Sequence, residues 1–343
     1  MTQNTNKLTG YVYDPLFLKH DLEGHPENAG RLSSIMEELN NSGLIKELIQ
    51  IPARRASEEE LLTCHTTEHI SNVVEISGRG GGHLDPDTYV NQYTADAAFL
   101  AAGSLIELTN KVVNGNIKNG YALIRPPGHH ALPHNGMGFC IFGSVAIAAK
   151  AALLQDDIYK VAIVDIDVHH GNGTQELVAE NKDILYVSTH QYPYYPGSGS
   201  ITETGQGNLL NIPLLGAEGD KAIILVYERA IIPALKKHSP DLIIVSAGYD
   251  AHWKDPLAGI NLSLTGYAQL SRMLVQFAND NCNGRIVFAL EGGYNYTVLA
   301  KGVSNSIKAL LGRDDFEDPI GAPDFEETDV DNLLHQLRNV HNL

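Results

Sequence analysis

VAIVDIDVHHGNG, residues 161–173, starts as an unbroken β-branched apolar run and ends in two acids and two histidines. Parallel strands buried on both faces read as continuous apolar runs, so the first half predicts such a strand. If the extended backbone continues, Asp165, Asp167 and His169 share one side by their two-residue spacing, while Ile166 and Val168 take the other. Runs of the same kind recur along the chain: TGYVYD from Thr9, YALI at 121–124, ILYVSTH at 184–190, LIIVSAG at 242–248 and RIVFAL at 285–290. Between them lie helical patterns, namely SVAIAAKAALL from Ser144, EGDKAIILVYERAIIPALKK from Glu218, and LTGYAQLSRMLVQFAND from Leu264, which Thr265 is placed to cap. This alternation predicts an α/β fold with a central, mostly parallel sheet. No internal repeat or Pro/Ser-rich linker interrupts it, so residues 1–343 read as a single domain. GRGGGHLDPD, from Gly78, has neither phosphate-binding glycine pattern and reads as a surface loop.

Composition narrows the function. With 343 residues, 43% of them hydrophobic, the chain can build a large core. Its formal charge of -17, from 41 acids and 24 basic residues, repels phosphate and speaks against direct nucleic-acid binding or an anionic membrane. The opening MTQNTNKLTG lacks a signal-peptide pattern, and no run is apolar enough to span a bilayer, which makes a soluble, cytoplasmic protein the expectation. Cys64, Cys140 and Cys282 are widely separated, so neither a disulfide framework nor a thiolate zinc site is indicated, and buried free thiols are expected.

Ligands of open parallel sheets bind beyond the carboxyl ends of the strands, where the acids and histidines of the opening stretch fall. Asp167 and His169 offer a carboxylate oxygen and an imidazole nitrogen to a metal, and Asp250, just past LIIVSAGY, is the natural third donor. Two carboxylates and a neutral imidazole would suit one zinc ion and leave a coordination position open. Strand-end acids can also simply face water. Against that bland alternative stand RPPGHHA, with His129 and His130, and LEGGYN, with Tyr294, each following another apolar run.

Taken with HPENAGRL at 25–32, GMGFCIF at 136–142, DIDVHHGNGTQE at 165–176, PGSG at 196–199 and AGYDAHWKDPLAG at 247–259, the chain resembles the histone deacetylase and acetylpolyamine amidohydrolase family, its class II type most closely. The resemblance implies an arginase/deacetylase-like domain with an eight-stranded sheet flanked by helices. It also implies zinc-dependent hydrolysis of N-acetyl amides, with zinc on Asp167, His169 and Asp250. It makes His130 the general base and then general acid, with His129 oriented by Asp165, and Asn172 standing where class I members carry a second acid. Tyr294 becomes the phenol facing the substrate carbonyl. Gly138 and Phe139 match one tunnel wall, Asp87 matches a rim acid, and Tyr195 stands where a second phenylalanine is usual. Leu257 replaces the gatekeeping glutamate of a polyamine-specific relative. A structural potassium is implied near Asp165, Asp167, His169, Ser188 and Thr189.

The implied partner is an acetylated lysine peptide or protein, or an acetylated small amine. An arginase-like ureohydrolase would need a carboxylate at position 171 for a second manganese, and the chain has Gly171. A non-catalytic reader of acetyl-lysine would not need His129, His130 and Tyr294 together. Acyl-chain preference and oligomeric state, a homo-oligomer included, stay open at this level.

Overall fold

The structure is a computed structural model and describes residues 8–216 and 218–343; the expectation drawn from the first seven residues lies outside them. Its main sheet has eight strands: β1 (Thr9–Val12), β2 (Ile49–Ile51), β5 (Asn119–Ala122), β6 (Val161–Asp165), β7 (Ile184–Gln191), β8 (Leu209–Leu214), β9 (Leu242–Ala247) and β10 (Ile286–Leu290). The order is β2-β1-β5-β10-β9-β6-β7-β8, and every pairing is parallel. All residues of β5, β6, β9 and β10 are buried, which is why these segments carry no polar alternation. Each fully buried Val, Ile or Leu of these strands contributes roughly 1.5–3 kcal/mol of transfer free energy. The helix Thr94–Val113 packs on β1, β5 and β10, and Ser144–Ala152 on β6 and β9. The helices Ala29–Asn41, Tyr296–Leu310 and Leu264–Asn281 pack in succession on one another. All three cysteines are free and buried, as expected.

The six apolar runs all form strands, but two strands have no clear sequence signal. β2 is a three-residue edge strand, and β8, at the opposite edge, contains Pro213, which an edge position tolerates because one side of its backbone has no partner strand. The glycine-rich patch is a hairpin rather than a loop: β3 (Gly81–Asp85) pairs antiparallel with β4 (Thr88–Asn91). Its turn is closed by the Asp85 carboxylate, which accepts the N–H groups of Asp87 and Thr88 at 3.1 and 2.7 Å, and this holds Asp87 at the tip.

Two helix details also differ from expectation. Ser263, in an extended conformation, caps the helix Leu264–Asn281 by accepting the Gly266 N–H at 3.0 Å, whereas the Thr265 backbone and hydroxyl both bond Asp318. The segment after Glu218 divides into Asp220–Val226, a π turn at Tyr227–Ile231, and Ile232–His238. Pro233 lacks the N–H that an uninterrupted helix requires, and the π turn immediately before it absorbs the irregularity.

His65 ties this scaffold together in a way that depends on pH. Its Nδ1 faces the Leu132 carbonyl at 3.0 Å and its Nε2 accepts the Gly143 N–H at 2.8 Å, so a second proton would set two donors against each other. Burial, aided by His69, lowers its pKa from 6.5 to about 3. Between those values the unfolded chain binds a proton that the folded chain refuses. Stability contributed by neutral His65 is therefore complete above 6.5 and lost on acidification, by on the order of 1 kcal/mol per pH unit. Urea titrations across that window should give a steeper pH slope for the native protein than for His65→Gln; equal slopes would refute the assignment.

Candidate active site

β5, β10, β9 and β6 are consecutive in the sheet, and the segments leaving their carboxyl ends bring His129 and His130, Tyr294, Asp250, and Asp165 to His169 together. The strand carrying the opening stretch is shorter than expected. β6 ends at Asp165, and residues 166–170 form a loop, so a continuing pleat does not align the three polar residues. Two local turns do so instead: Asp165 Oδ1 accepts the Asp167 N–H at 3.2 Å, and Asp167 Oδ1 accepts the His169 N–H at 2.9 Å.

Asp167, His169 and Asp250 offer one ligand atom each within 4.8 Å of one another, and both acids are fully buried. His169 Nδ1 lies 3.1 Å from Asp167 Oδ1 and 3.3 Å from Asp250 Oδ2. Asp250 Oδ1 accepts the Val168 N–H at 2.9 Å, but its buried Oδ2 has no hydrogen-bond partner among the described residues. Burial and the neighbouring Asp167 push Asp250 up. Burial lowers His169, yet its bond to Asp167 and the charge of both carboxylates outweigh it and hold the imidazole well above the ordinary histidine range. A buried unsatisfied carboxylate oxygen beside a second carboxylate and an imidazole is a donor set that a divalent cation would complete. His129, Cys140 and Glu291 also lie close enough to share an ion. However, Glu291 Oε2 already accepts the Gly128 and His129 N–H groups at 2.7 and 3.2 Å, so that carboxylate serves the backbone.

The tandem histidines have different partners. His129 Nδ1 lies 3.1 Å from Asp165 Oδ2, an oxygen that also accepts the Tyr186 hydroxyl at 3.0 Å. His130 Nδ1 lies 2.8 Å from Asn172 Oδ1, and the Asn172 amide nitrogen faces Met137 Sδ at 3.5 Å. That orientation makes the amide oxygen an acceptor, so His130 carries its proton on Nδ1 and keeps a lone pair on Nε2. Burial lowers His129, but the Asp167 and Asp165 carboxylates outweigh it and raise it to about 10. Burial and the adjacent His129 and His169 push His130 well below 6.5. One histidine is thus held charged and its neighbour neutral, the separation expected of an orienting group and a base.

A cavity of about 210 Å³ opens onto these groups. All five residues assigned to substrate line it, Asp87, Gly138, Phe139, Tyr195 and Leu257, together with His129, His130, His169 and Tyr294. Tyr194, which the sequence reading passed over, lines it as well and stacks on His169 with ring centroids 5.9 Å apart. Gly138 has φ +55°, and a Cβ there would come within 2.5 Å of His130 Cδ2, so only glycine lets this wall approach the base so closely. The Tyr195 ring meets His130 edge-on at 5.2 Å. Burial and Asp87 hold the Tyr195 phenol up. Ser188 pairs with Asp165 across β6 and β7, and Thr189 Oγ1 donates to the Asp165 carbonyl at 3.4 Å, so the residues assigned to a monovalent ion are also neighbours.

Gly171 carries the negative argument. A side chain there would run into Asp165 Oδ2 and come within 2.5 Å of Tyr186 Oη and 3.1 Å of His129 Nδ1. There is no room for the carboxylate that a second metal would need.

An eight-stranded parallel sheet with a candidate donor triad, two partnered histidines and a phenol gathered at its carboxyl edge is an arginase/deacetylase-like arrangement. Comparison with known proteins makes the class specific. The family model of the histone deacetylase domain matches residues 25–310. Histone deacetylase 14, chloroplastic, of Arabidopsis thaliana is 36% identical over 357 residues, covering 94% of this chain and 82% of that protein. A probable deacetylase of Archaeoglobus fulgidus is 39% identical over 295 residues, covering 84% of this chain and 82% of that protein. The crystal structure of the HDA15 HD domain superposes with a TM-score of 0.88 at 36% identity, over 98% of this chain and 94% of that one. The chain belongs to the histone deacetylase family, which makes it a hydrolase of the deacetylase type.

Proposed function

We propose that the protein is a zinc-dependent amidohydrolase that removes acetyl groups from lysine side chains or from small acetylated amines. The observation that carries this reading is that one cavity is lined by His129, His130, His169 and Tyr294, with Asp167 and Asp250 grouped behind His169 and with Asp165 and Asn172 bound to the two histidines. Zinc bound by the triad would polarise the amide carbonyl and bring the pKa of water to about 7. His130 Nε2, neutral and free to accept, takes the proton of the attacking water and later returns it to the leaving amine. His129, with its Nδ1 3.1 Å from Asp165 Oδ2, is oriented by that carboxylate beside the base. Tyr294, kept protonated by burial, donates to the carbonyl oxygen as negative charge develops on it. Phe139 and Tyr195 would flank the linear alkyl chain, and Asp87 at the rim would accept from the substrate backbone. Potassium between Asp165, Ser188 and Thr189 would brace β6 against β7.

Leu257 places an apolar side chain on the rim, so selection of cationic polyamines by a carboxylate at that position is absent. Free acetylpolyamines are therefore expected to be weaker substrates than acetyl-lysine peptides. The test is steady-state kinetics on acetyl-lysine peptides, acetylpolyamines and longer acyl amides. It should be run before chelation, after chelation and after return of zinc. Turnover should vanish with the chelator and return with zinc. Inactivity on the whole panel with zinc bound would support a non-catalytic binder instead.

A further inference from the structure

Beyond the metal donors and the two histidine pairs, one buried carboxylate connects both sides of the cavity. Asp255 lies in the segment that follows β9 and Asp250, and its two oxygens accept three backbone N–H groups. Oδ2 accepts from Tyr294 at 2.7 Å and from Asn295 at 3.2 Å, and Oδ1 accepts from Leu257 at 3.1 Å. Two of these donors belong to the segment carrying the phenol, and the third is the rim residue. Leu257 is pinned from its other side as well, since its carbonyl accepts the Tyr194 hydroxyl at 2.7 Å. A continuous path therefore runs from Tyr194, stacked on His169, through Leu257 and Asp255 to Tyr294.

Tyr294 depends on such an anchor. The two residues before it, Gly292 and Gly293, have no side chains to pack, and Gly293 sits at φ +115°. The phenol is placed by whatever holds this backbone. On one side Arg31 Nε donates to the Gly293 carbonyl at 2.7 Å, with its guanidinium 4.9 Å from the Tyr294 ring centroid. On the other side the anchor is Asp255. Asn295 strengthens it by donating its side-chain amide to the Lys254 carbonyl at 3.2 Å while capping the helix Tyr296–Leu310.

We propose that Asp255 is a positioning residue for the oxyanion phenol, whose carboxylate ties the Tyr294 backbone to the substrate rim at Leu257. The proposal rests on the role given to Tyr294 above. An asparagine at position 255 could turn its oxygen to the Tyr294–Asn295 pair and leave its amide opposed to the Leu257 N–H. It would keep the phenol in place and release the rim. Alanine would release both.

The test combines kinetics with amide hydrogen exchange on the full chain loaded with zinc. Asp255→Ala should lower kcat on an acetyl-lysine peptide on the order of 10- to 100-fold, the scale of a displacement of about 1 Å at a reacting group. Asp255→Asn should keep kcat within about threefold of the native value while KM rises, because the phenol stays in place and the rim does not. In a Tyr294→Phe background Asp255→Ala should lower kcat almost no further, since both act on kcat through the same hydroxyl, while KM still rises from release of the rim. Full multiplication of the two losses overturns the proposal, as does a native kcat in Asp255→Ala. Exchange supplies a readout that does not need turnover: the Tyr294 and Asn295 amides should lose protection in Asp255→Ala while those of β9 keep theirs. Unchanged protection at Tyr294 overturns the proposal. Should the alanine variant fail to fold, shown by loss of protection in β9, Asp255→Ser is read by the same criteria, because its short hydroxyl withdraws from Tyr294. If the native protein is inactive on every acyl amide, the deacetylase reading fails, and the exchange result alone then decides whether Asp255 holds the Tyr294 backbone.

Discussion

Asp250→Asn should abolish stoichiometric zinc binding and lower kcat/KM by on the order of 10³-fold or more, the scale set by losing several kcal/mol of metal-derived charge stabilisation. Asparagine keeps the shape of the side chain, and its Oδ1 can still accept the Val168 N–H that Asp250 now accepts at 2.9 Å. What it removes is the charge on Oδ2, the buried oxygen with no hydrogen-bond partner among the described residues. The metal-free protein gives a second reading of opposite sign. Asp250 is pushed up by burial and by Asp167, so in the absence of a cation its ionised form is a cost to the fold. The metal-free Asn variant should therefore melt no lower than metal-free native protein. Only the native protein should gain stability from added zinc, by about 2.7 kcal/mol at a hundred times its Kd. Metal analysis and thermal melts with and without zinc check both halves. A variant that still binds one zinc per chain and turns over would remove Asp250 from the donor set.

The parts of this site that were legible in the sequence were legible for a physical reason. A strand buried on both faces has no use for Asp165 at its end or Asp167 just beyond it, so acids there stand out against VAIV, and the same contrast marks Asp250 after LIIVSA and Tyr294 after RIVFAL. The family resemblance then supplied the roles of His130, Asn172 and the tunnel residues, which spacing alone could not. The exact path of the chain was not legible. Asp165, Asp167 and His169 come together through side-chain-to-backbone turns, and alternation along a longer strand would have predicted the same grouping for the wrong reason. Edge strands β2 and β8 and the β3–β4 hairpin were missed because half-exposed or glycine-rich segments carry little periodic signal. Asp255, Tyr194 and Arg31 were missed for another reason. They act through backbone groups of distant residues, as when Arg31 reaches the Gly293 carbonyl across 262 positions, and no pattern of residue types announces such a contact. The DP pair in AGYDAHWKDPLAG was visible, but nothing in the sequence says that its carboxylate points at Tyr294.

Tyr294→Phe should cost on the order of 10²- to 10³-fold in kcat, the loss expected when one oxyanion donor is deleted. An effect of this size requires the phenol to be neutral and its ring to be fixed by other means. Burial holds the Tyr294 hydroxyl well above its ordinary value of 10.0, so it remains a donor throughout the working range. The ring stays where it is in the variant, because its backbone is held by Asp255 and its face by the Arg31 guanidinium, and neither contact involves the hydroxyl. KM should therefore move by less than about threefold, the pattern of an interaction realised mainly in the transition state. The melting temperature should hold, since the substitution removes no packed carbon. The acid limb of the pH–rate profile should keep its position as well, because it reports His130, whose bond to Asn172 is untouched. A Phe variant that keeps more than about a tenth of native kcat on an acetyl-lysine peptide would fall outside the cost of a lost oxyanion donor. The carbonyl oxygen would then need a donor other than Tyr294.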